Sequence, residues 1–208
     1  MSTPTKSNLL LFSVKNLKYA LRKADDSGWD APKPLAFAEA LSLEPDFQEQ
    51  VFYGDGEKLL VLPDDKGFTG EISVTTIEDH YEIDMGRALK IAEGHSDMQQ
   101  LQSVPHCIYY ETLAYVKGVQ KVYKAWLMNC RTGRASETYQ QTKEDPTVNY
   151  YAYPLTVMGE LLNDSTGAEV YVDENGNTKK IYRVKSKPED AGYATFGDSA
   201  PTLTSSLT

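Results

Sequence analysis

The sequence contains few of the residues on which enzymes and metalloproteins depend. It has two cysteines, Cys107 and Cys130, and three histidines, His80, His95 and His106. Their spacings match neither a zinc site, nor a di-metal motif, nor a disulfide framework. We therefore expect no catalytic residues, no metal site and no cofactor. Synthesis in a reducing cytoplasm is the simplest expectation for two such cysteines.

Positive charge is also scarce. Lysine and arginine number 21 against 30 aspartate and glutamate residues, which gives a formal net charge of −9. A protein of this charge repels phosphate backbones and anionic membrane surfaces. Lys121 and Lys124 lie among aromatic residues, but Glu111 and Glu137 lie nearby in the sequence. We find no basic stripe, so the composition argues against a nucleic-acid reader.

Long apolar runs are missing too. The polar residues 1–8 are followed by an apolar run of only four residues, 9–12. Such a run is too short for the core of a signal peptide or for a membrane span. We expect no membrane association and no Sec-type export, so the protein would leave a cell by another route, such as lysis.

Two local patterns resemble functional sites only weakly. His106 and Cys107 are adjacent, and adjacent strand residues point to opposite faces, so they cannot form a catalytic dyad. We expect a buried cysteine beside a surface histidine. Residues 173–177 resemble part of a calcium loop, but Tyr182 occupies the position of the required glutamate, and a hairpin turn is favoured.

Alternating apolar and polar residues dominate the chain and predict strands. A single helix is predicted after Thr75, where Thr75 and Glu78 form a capping-box pattern and apolar residues recur at helical spacing as far as a stop at Gly94. These patterns predict a mainly β fold, a β-sandwich or partial barrel of about eight strands with one flanking α-helix. The predicted strands are residues 9–22, 35–43, 70–75, 107–117, 121–131, 147–158, 168–172 and 179–184.

The predicted organisation is one β-domain between two arms. Residues 1–8 form an N-terminal arm, residues 9–184 the β-domain, and residues 185–208 a C-terminal arm or flexible tail with few apolar anchors. Residues 44–68 are predicted to be a long irregular segment with a small hairpin turn at 53–56. Segments of this length in compact domains usually have a function or are disordered.

Several stretches resemble one protein family. Residues 14–21 resemble the opening strand of the major tail proteins, or tail-tube proteins, of long-tailed bacteriophages that infect Gram-positive bacteria. Residues 50–57 and 68–74 resemble the loop and third strand of that family, and a helix follows in both. The order of elements matches over roughly residues 8 to 160, although no single motif is diagnostic and residues 90–103 depart from the pattern.

The resemblance implies a structural virion protein of the phage tail and not an enzyme. Proteins of this family assemble as homo-hexameric rings, and the stacked rings form a tube through which genomic DNA passes during ejection without being bound. The implied partners are further copies of the chain, the tape measure protein in the lumen, and the tail tip and tail terminator proteins. The family's loop between the second and third strands, residues 44–68 here, reaches the adjacent ring.

The resemblance also assigns two sets of site residues. Small or polar faces of the second and third strands are expected to face the lumen: Ala36, Ala38, Ala40, Ser42, Glu71, Ser73 and Thr75. Apolar residues of the long segment are expected to make the contacts between rings: Phe47, Phe52, Tyr53, Leu59, Leu60 and Leu62. The alternative for the first set is an ordinary solvent-facing side of a half-buried sheet.

Two other functions remain open at this stage. One is the inner tube of a contractile injection or secretion system, which shares the architecture and would bind a sheath protein. The other is a monomeric β-barrel that binds a small ligand, which would need a cavity with convergent polar groups.

Overall fold

The computed structural model describes residues 9–116, 118–137, 149–161 and 179–202. In these ranges the chain forms strands and one short helix, in the order that follows. The elements are β1 (Leu9–Leu21), β2 (Lys33–Pro34), β3 (Ala38–Gly54), β4 (Glu57–Val74), α1 (Asp79–Asp84), β5 (Ala88–Ile91), β6 (Gly94–Asp97), β7 (His106–Val116), β8 (Val119–Thr132), β9 (Tyr151–Val157), β10 (Glu160–Leu161), β11 (Lys180–Ile181) and β12 (Arg183–Ser186). The N-terminal arm 1–8, the strand 168–172 and the turn at 173–177 lie outside the described residues.

One antiparallel sheet in the order β2-β1-β7-β8-β9-β4-β3 dominates the fold, with β12 beside β8. The predicted mainly β fold with one flanking helix is thereby confirmed, and the sheet is open rather than closed into a barrel. Strand β8 joins its two halves, because residues 124–127 pair with β12 and residues 130–132 pair with β9. Between them Asn129 has φ 50° and donates its side-chain N–H to the carbonyl of Gly159 at 3.0 Å.

The curled sheet encloses the main core, in which Tyr19, Ile72, Tyr81, Leu127 and Tyr153 are almost fully buried. Successive side chains of a strand point to opposite faces, so the sequence neighbours of these core residues lie on the other face of the sheet. There a second cluster forms around three residues of β7 and β8, namely Cys107, Tyr109 and Trp126.

The C-terminal residues 187–202 cover this second cluster, so the arm predicted from Lys185 onward belongs to the folded body as far as Thr202. The indole N–H of Trp126 donates to the carbonyl of Phe196 at 2.8 Å, and the Tyr193 hydroxyl donates to the carbonyl of Val122 at 3.0 Å. The segment has few apolar anchors, and its backbone carbonyls attach it to the sheet instead.

The helix is much shorter than the pattern predicts. It begins after the N-cap Glu78, which makes no side-chain capping bond, and it ends at Asp84. Gly86 has φ +67°, and the N–H groups of Gly86 and Arg87 donate to the carbonyls of Ile83 and Glu82. These two bonds are a Schellman stop, so Gly86 terminates the helix instead of weakening its interior. The chain then continues as the β5–β6 hairpin.

The segment 44–68 also differs from the prediction, because it is not irregular. Strands β3 and β4 pair continuously from Ala38–Val74 to Gly54–Glu57 with three register shifts. Asp55 and Gly56 have φ angles of 52° and 81°, which fit the two-residue turn expected at this position. Continuous pairing explains how so long a segment is ordered.

Candidate assembly surfaces

The hairpin arm, residues 45–67, projects beyond the sheet as a two-stranded ribbon. Strand β9 pairs with β4 only over residues 68–74, so the rest of β4 pairs with β3 alone. At about 3.4 Å per residue the arm extends about 30 Å from the sheet. Two-stranded ribbons are marginally stable in water by themselves. A ribbon of this length would therefore be stabilised by packing against another surface.

Both faces of the hairpin arm carry exposed apolar side chains. The cross-strand pairs Val51–Val61 and Phe52–Leu60 are consecutive and therefore point to opposite faces. Phe52 and Leu60 are 49% and 50% exposed. All six residues predicted to make contacts between rings are exposed in the single chain: Phe47, Phe52, Tyr53, Leu59, Leu60 and Leu62. Their exposure on both faces makes the arm a candidate interaction surface.

The small-residue face lies at the folded part of the same two strands. Ala40 pairs with Ser73, and Ser42 pairs with Glu71, so these four side chains share one side of the sheet. Ala40, Ser42 and Glu71 are exposed, and Ser73 is half-buried. Of the other predicted members, Thr75 is exposed. Ala38 pairs with the buried Val74 and is half-buried against the core, so its prediction as a member of this face is wrong.

Ala36 does not belong to the small-residue face. It precedes β3, is 5% exposed and packs in the main core with Leu35. Strict alternation from Ala36 to Ser42 fails because the strand begins only at Ala38 and has a bulge between Ala38 and Ala40.

The face also extends onto residues that sequence reasoning missed. Ala152 and Pro154 on β9 pair with Ser73 and Glu71, and Thr69 pairs with both Glu44 and Thr156. Sequence reasoning would have found these residues if it had paired the predicted strand 147–158 with β4. The cross-strand partners on this face have short, polar or acidic side chains. The exception is the basic residue Arg131 on β8, which pairs with Thr156.

Strand β3 is the last strand of the sheet, and it is 17 residues long. Within the described ranges its outer edge has no hydrogen-bonded strand beside it, although β1 lies near it across Val14, Leu41 and Leu43. A long open edge presents unpaired N–H and C=O groups that another strand can bind. The edge is therefore a second surface at which copies can join.

A cleft between β8 and β12, the cationic cleft, carries four positive side chains: Lys124, Arg183, Lys185 and Lys187. Its walls include the rings of Tyr110 and Tyr123, and its cavity volume is about 190 Å³. Arg183 lies over the ring of Phe68, with 5.5 Å from the guanidinium carbon to the ring centroid. Sequence reasoning missed the cleft, although three of its cations, Arg183, Lys185 and Lys187, alternate along one short stretch, and only Lys124 comes from a strand distant in the chain.

The polar residues that could suggest catalysis form a buried structural network. The Tyr81 hydroxyl lies 3.1 Å from His106 Nε2 and 2.7 Å from Thr132 Oγ1. His106, predicted to lie at the surface, is fully buried, and burial lowers its pKa to about 4. Its Nδ1–H donates to the carbonyl of Val104 at 3.0 Å, so the ring is neutral and positioned by the backbone.

The other candidate groups do not converge. His80 contacts the carbonyl of Pro34 and His95 contacts Asp79, so the three histidines lie in separate environments. Cys107 and Cys130 are free, buried thiols whose pKa values are raised by burial. Within the described ranges, no group of three or more histidine, cysteine or acidic side chains is arranged to hold a metal ion. No helix in those ranges has the length and apolarity to span a membrane.

Comparison with known proteins gives little. No protein-family model matches the chain, and no curated protein sequence matches it. Among solved structures, it is similar to a chain in the six-fold symmetrised cryo-EM structure of the anti-feeding prophage baseplate. The two share 12% sequence identity, the match covers 75% of this chain and 93% of that chain, and the TM-score is 0.36. A similarity at this level assigns neither fold nor function.

Proposed function

We propose that this chain is a structural subunit that self-assembles into stacked hexameric rings, and that these rings form the tail tube of a long-tailed bacteriophage. It acts as the major tail protein of the virion and not as an enzyme. The hairpin arm, 45–67, is the observation that carries the proposal. Its exposed apolar residues lie on both faces of a ribbon that a single copy leaves uncovered.

The open edge of β3 supports lateral joining within a ring. An unpaired strand edge in an isolated protein invites uncontrolled pairing, whereas closure of neighbouring sheets into one barrel removes the edge. Rings then need only two kinds of contact, strand edges within the ring and arms between rings. Both are heterologous, so the assembly can close around an axis and also extend along it.

The small-residue face supports passage of DNA through such a tube. Ala40, Ser42, Glu71 and Ser73 present short side chains and a negative charge. In the lumen they would leave phosphates without cationic partners, so duplex DNA could slide without binding. Thr75 is exposed and would extend this face, whereas Ala38 packs against the core and would not line the channel. The tape measure protein would occupy the lumen before ejection, and the tail tip and tail terminator proteins would contact the end rings.

The two alternative functions make different demands on the same chain. A small-ligand barrel needs an open interior, whereas the interior here is filled by large side chains such as Tyr19, Tyr81 and Leu127. An inner tube of a contractile system needs a sheath, and binding of a sheath protein to the assembled tube would identify that function.

A replacement of the arm tests the proposal. Gln48 and Asp64 are cross-strand partners, so replacing residues 49–63 by Asn-Gly joins them through a two-residue turn. We expect the wild-type chain to sediment as tubes and the shortened variant to remain as single copies or isolated rings with an unchanged melting temperature. Tubes formed by the shortened variant would contradict the role of the arm.

A further inference from the structure

The cationic cleft is unusual in a chain of net charge −9, because all four of its charged side chains are positive. Lys124 donates to the carbonyls of Tyr193 and Ala194 at 2.7 and 3.3 Å. Within the described part of the chain, Arg183, Lys185 and Lys187 form no ion pair. Asp190 accepts a hydrogen bond from the backbone N–H of Lys187 at 2.7 Å, but no carboxylate is among the described residues that line the cleft.

Burial and the neighbouring cations both disfavour the charged form of Lys185. The pKa of Lys185 is lowered by partial burial and by the neighbouring charges of Arg183 and Lys187. An anion in the cleft would relieve this repulsion, and the aromatic walls would favour one attached to an apolar segment.

The hairpin arm has the complementary character. Residues 45–67 contain six acidic residues and two lysines, which gives a formal charge of 2 − 6 = −4. Asp55 lies in the turn at the tip, and Glu57 and Lys58 follow it; neither carboxylate forms an ion pair within the described residues. Next to them Tyr53 and Leu59 are each 70% exposed. The tip thus combines carboxylates with apolar side chains.

We propose that the cationic cleft of one copy binds the acidic tip of the hairpin arm of a second copy, with Lys185 and Lys187 facing Asp55 and Glu57. The cleft is positive and the arm is negative, with two carboxylates, Asp55 and Glu57, at its tip, so the two surfaces are opposite in charge. This inference rests on the proposed self-assembly and names the surface that receives the arm.

The arm of the same copy cannot fill its own cleft. Phe68, at the base of the arm, already lies against Arg183, and the ribbon leads away from it for about 30 Å. The contact is therefore between copies. The contact joins different surfaces on the two copies. The copy that gives its arm keeps a free cleft, and the copy that receives the arm keeps a free tip, so the same contact can form again with further copies.

Site-directed cross-linking tests the contact. A chain with Asp55→Cys is mixed with a chain with Lys187→Cys, and a bismaleimide reagent joins cysteines that lie close together. The native thiols of Cys107 and Cys130 are buried and do not compete. The control replaces the exposed Lys23 by cysteine instead of Lys187.

We expect the Asp55–Lys187 pair to yield about tenfold more cross-linked dimer than the Asp55–Lys23 pair, and the yield to fall with rising salt because exposed charges are screened. Adding Lys185→Glu to the Lys187→Cys chain should lower the yield to that of the control. Equal yields for the two pairs, or yields insensitive to Lys185→Glu, would overturn the proposal. So would DNA binding by the wild-type chain that Lys185→Glu abolishes, because the cleft would then be a phosphate site.

The result separates this inference from the proposed function. If tubes form without the specific cross-link, the cleft assignment is wrong and the tube remains. If the specific cross-link forms between copies that never build tubes, the cleft assignment stands and the tail-tube function is wrong.

Discussion

Replacing the pair Phe52 and Leu60 by threonine should weaken assembly without weakening the single copy. The two residues face each other across the hairpin arm on one of its sides, and each is about half exposed in the free chain. Threonine retains the branched side chain that suits a strand but removes most of the apolar surface. The double variant therefore tests what the exposed surface contributes to contacts between copies.

The expected magnitude follows from the area that assembly would bury. Half of a phenylalanine side chain is about 100 Å², and at about 25 cal/mol/Å² its burial contributes about 2.5 kcal/mol. Half of a leucine side chain is about 70 Å² and contributes about 2 kcal/mol, and the methyl groups of the two threonines retain about 1 kcal/mol of this total. The net loss, about 3.5 kcal/mol, corresponds to an increase of about 300-fold in the critical concentration for polymerisation.

Sedimentation of a concentration series measures the critical concentration, and thermal unfolding of the dilute variant reports on the single copy. Leu101→Thr is the matched control, since Leu101 is exposed and lies outside the arm. An unchanged critical concentration for Phe52→Thr/Leu60→Thr would refute the assignment of the arm as the contact between rings. A critical concentration raised equally by Leu101→Thr would show that the effect is not specific to the arm.

Three further predictions concern the stability of the single copy. Burial lowers the pKa of His106 to about 4 in the folded chain, against about 6.5 unfolded, so the unfolded state binds the proton first as the pH falls. The free energy of unfolding should lose about 3 kcal/mol between pH 6.5 and pH 4, measured by urea denaturation, and His106→Gln should remove this part of the pH dependence. Gly86→Ala should lower the free energy of unfolding by about 1 kcal/mol, because residue 86 has a φ of +67°. Gly192→Ala, where an added methyl group also meets open space, should leave thermal unfolding unchanged. Equal effects of the two substitutions would refute the helix stop. Arg87→Met should lower the free energy of unfolding by about 3–5 kcal/mol, because it leaves the buried Glu82, whose Oε2 lies 3.0 Å from Arg87 Nε, without its partner. Adding Glu82→Leu should restore stability in the same assay, and no recovery would contradict a buried ion pair.

The sequence predicted the strands well where one face is buried. The alternation in residues 147–158 and the glycine between β7 and β8 both reflect local physics, namely side-chain periodicity and turn geometry. The arm was mistaken for an irregular segment because its apolar residues occupy both faces. A ribbon apolar on two sides has no alternation to detect, and its order in the chain comes from cross-strand bonds.

The wrongly predicted features depend on local backbone irregularities or on contacts distant in the sequence. Ala36 fits a small-residue pattern, yet the bulge between Ala38 and Ala40 places it in the core. Apolar residues recur at helical spacing beyond Asp84, but Gly86 adopts the left-handed conformation that ends a helix. His106 is buried because Tyr81 and Val104 provide its hydrogen-bond partners, which no local pattern reveals.

Cryo-electron microscopy of the purified wild-type chain, over a range of concentrations, tests the central claim most directly. That claim is that one copy is incomplete and that identical copies cover its β3 edge and its hairpin arm. We expect stacked rings of six copies, with arms between rings and with Ser42 and Glu71 lining the channel. Single copies at every concentration, or rings whose channel is lined by other residues, would contradict it.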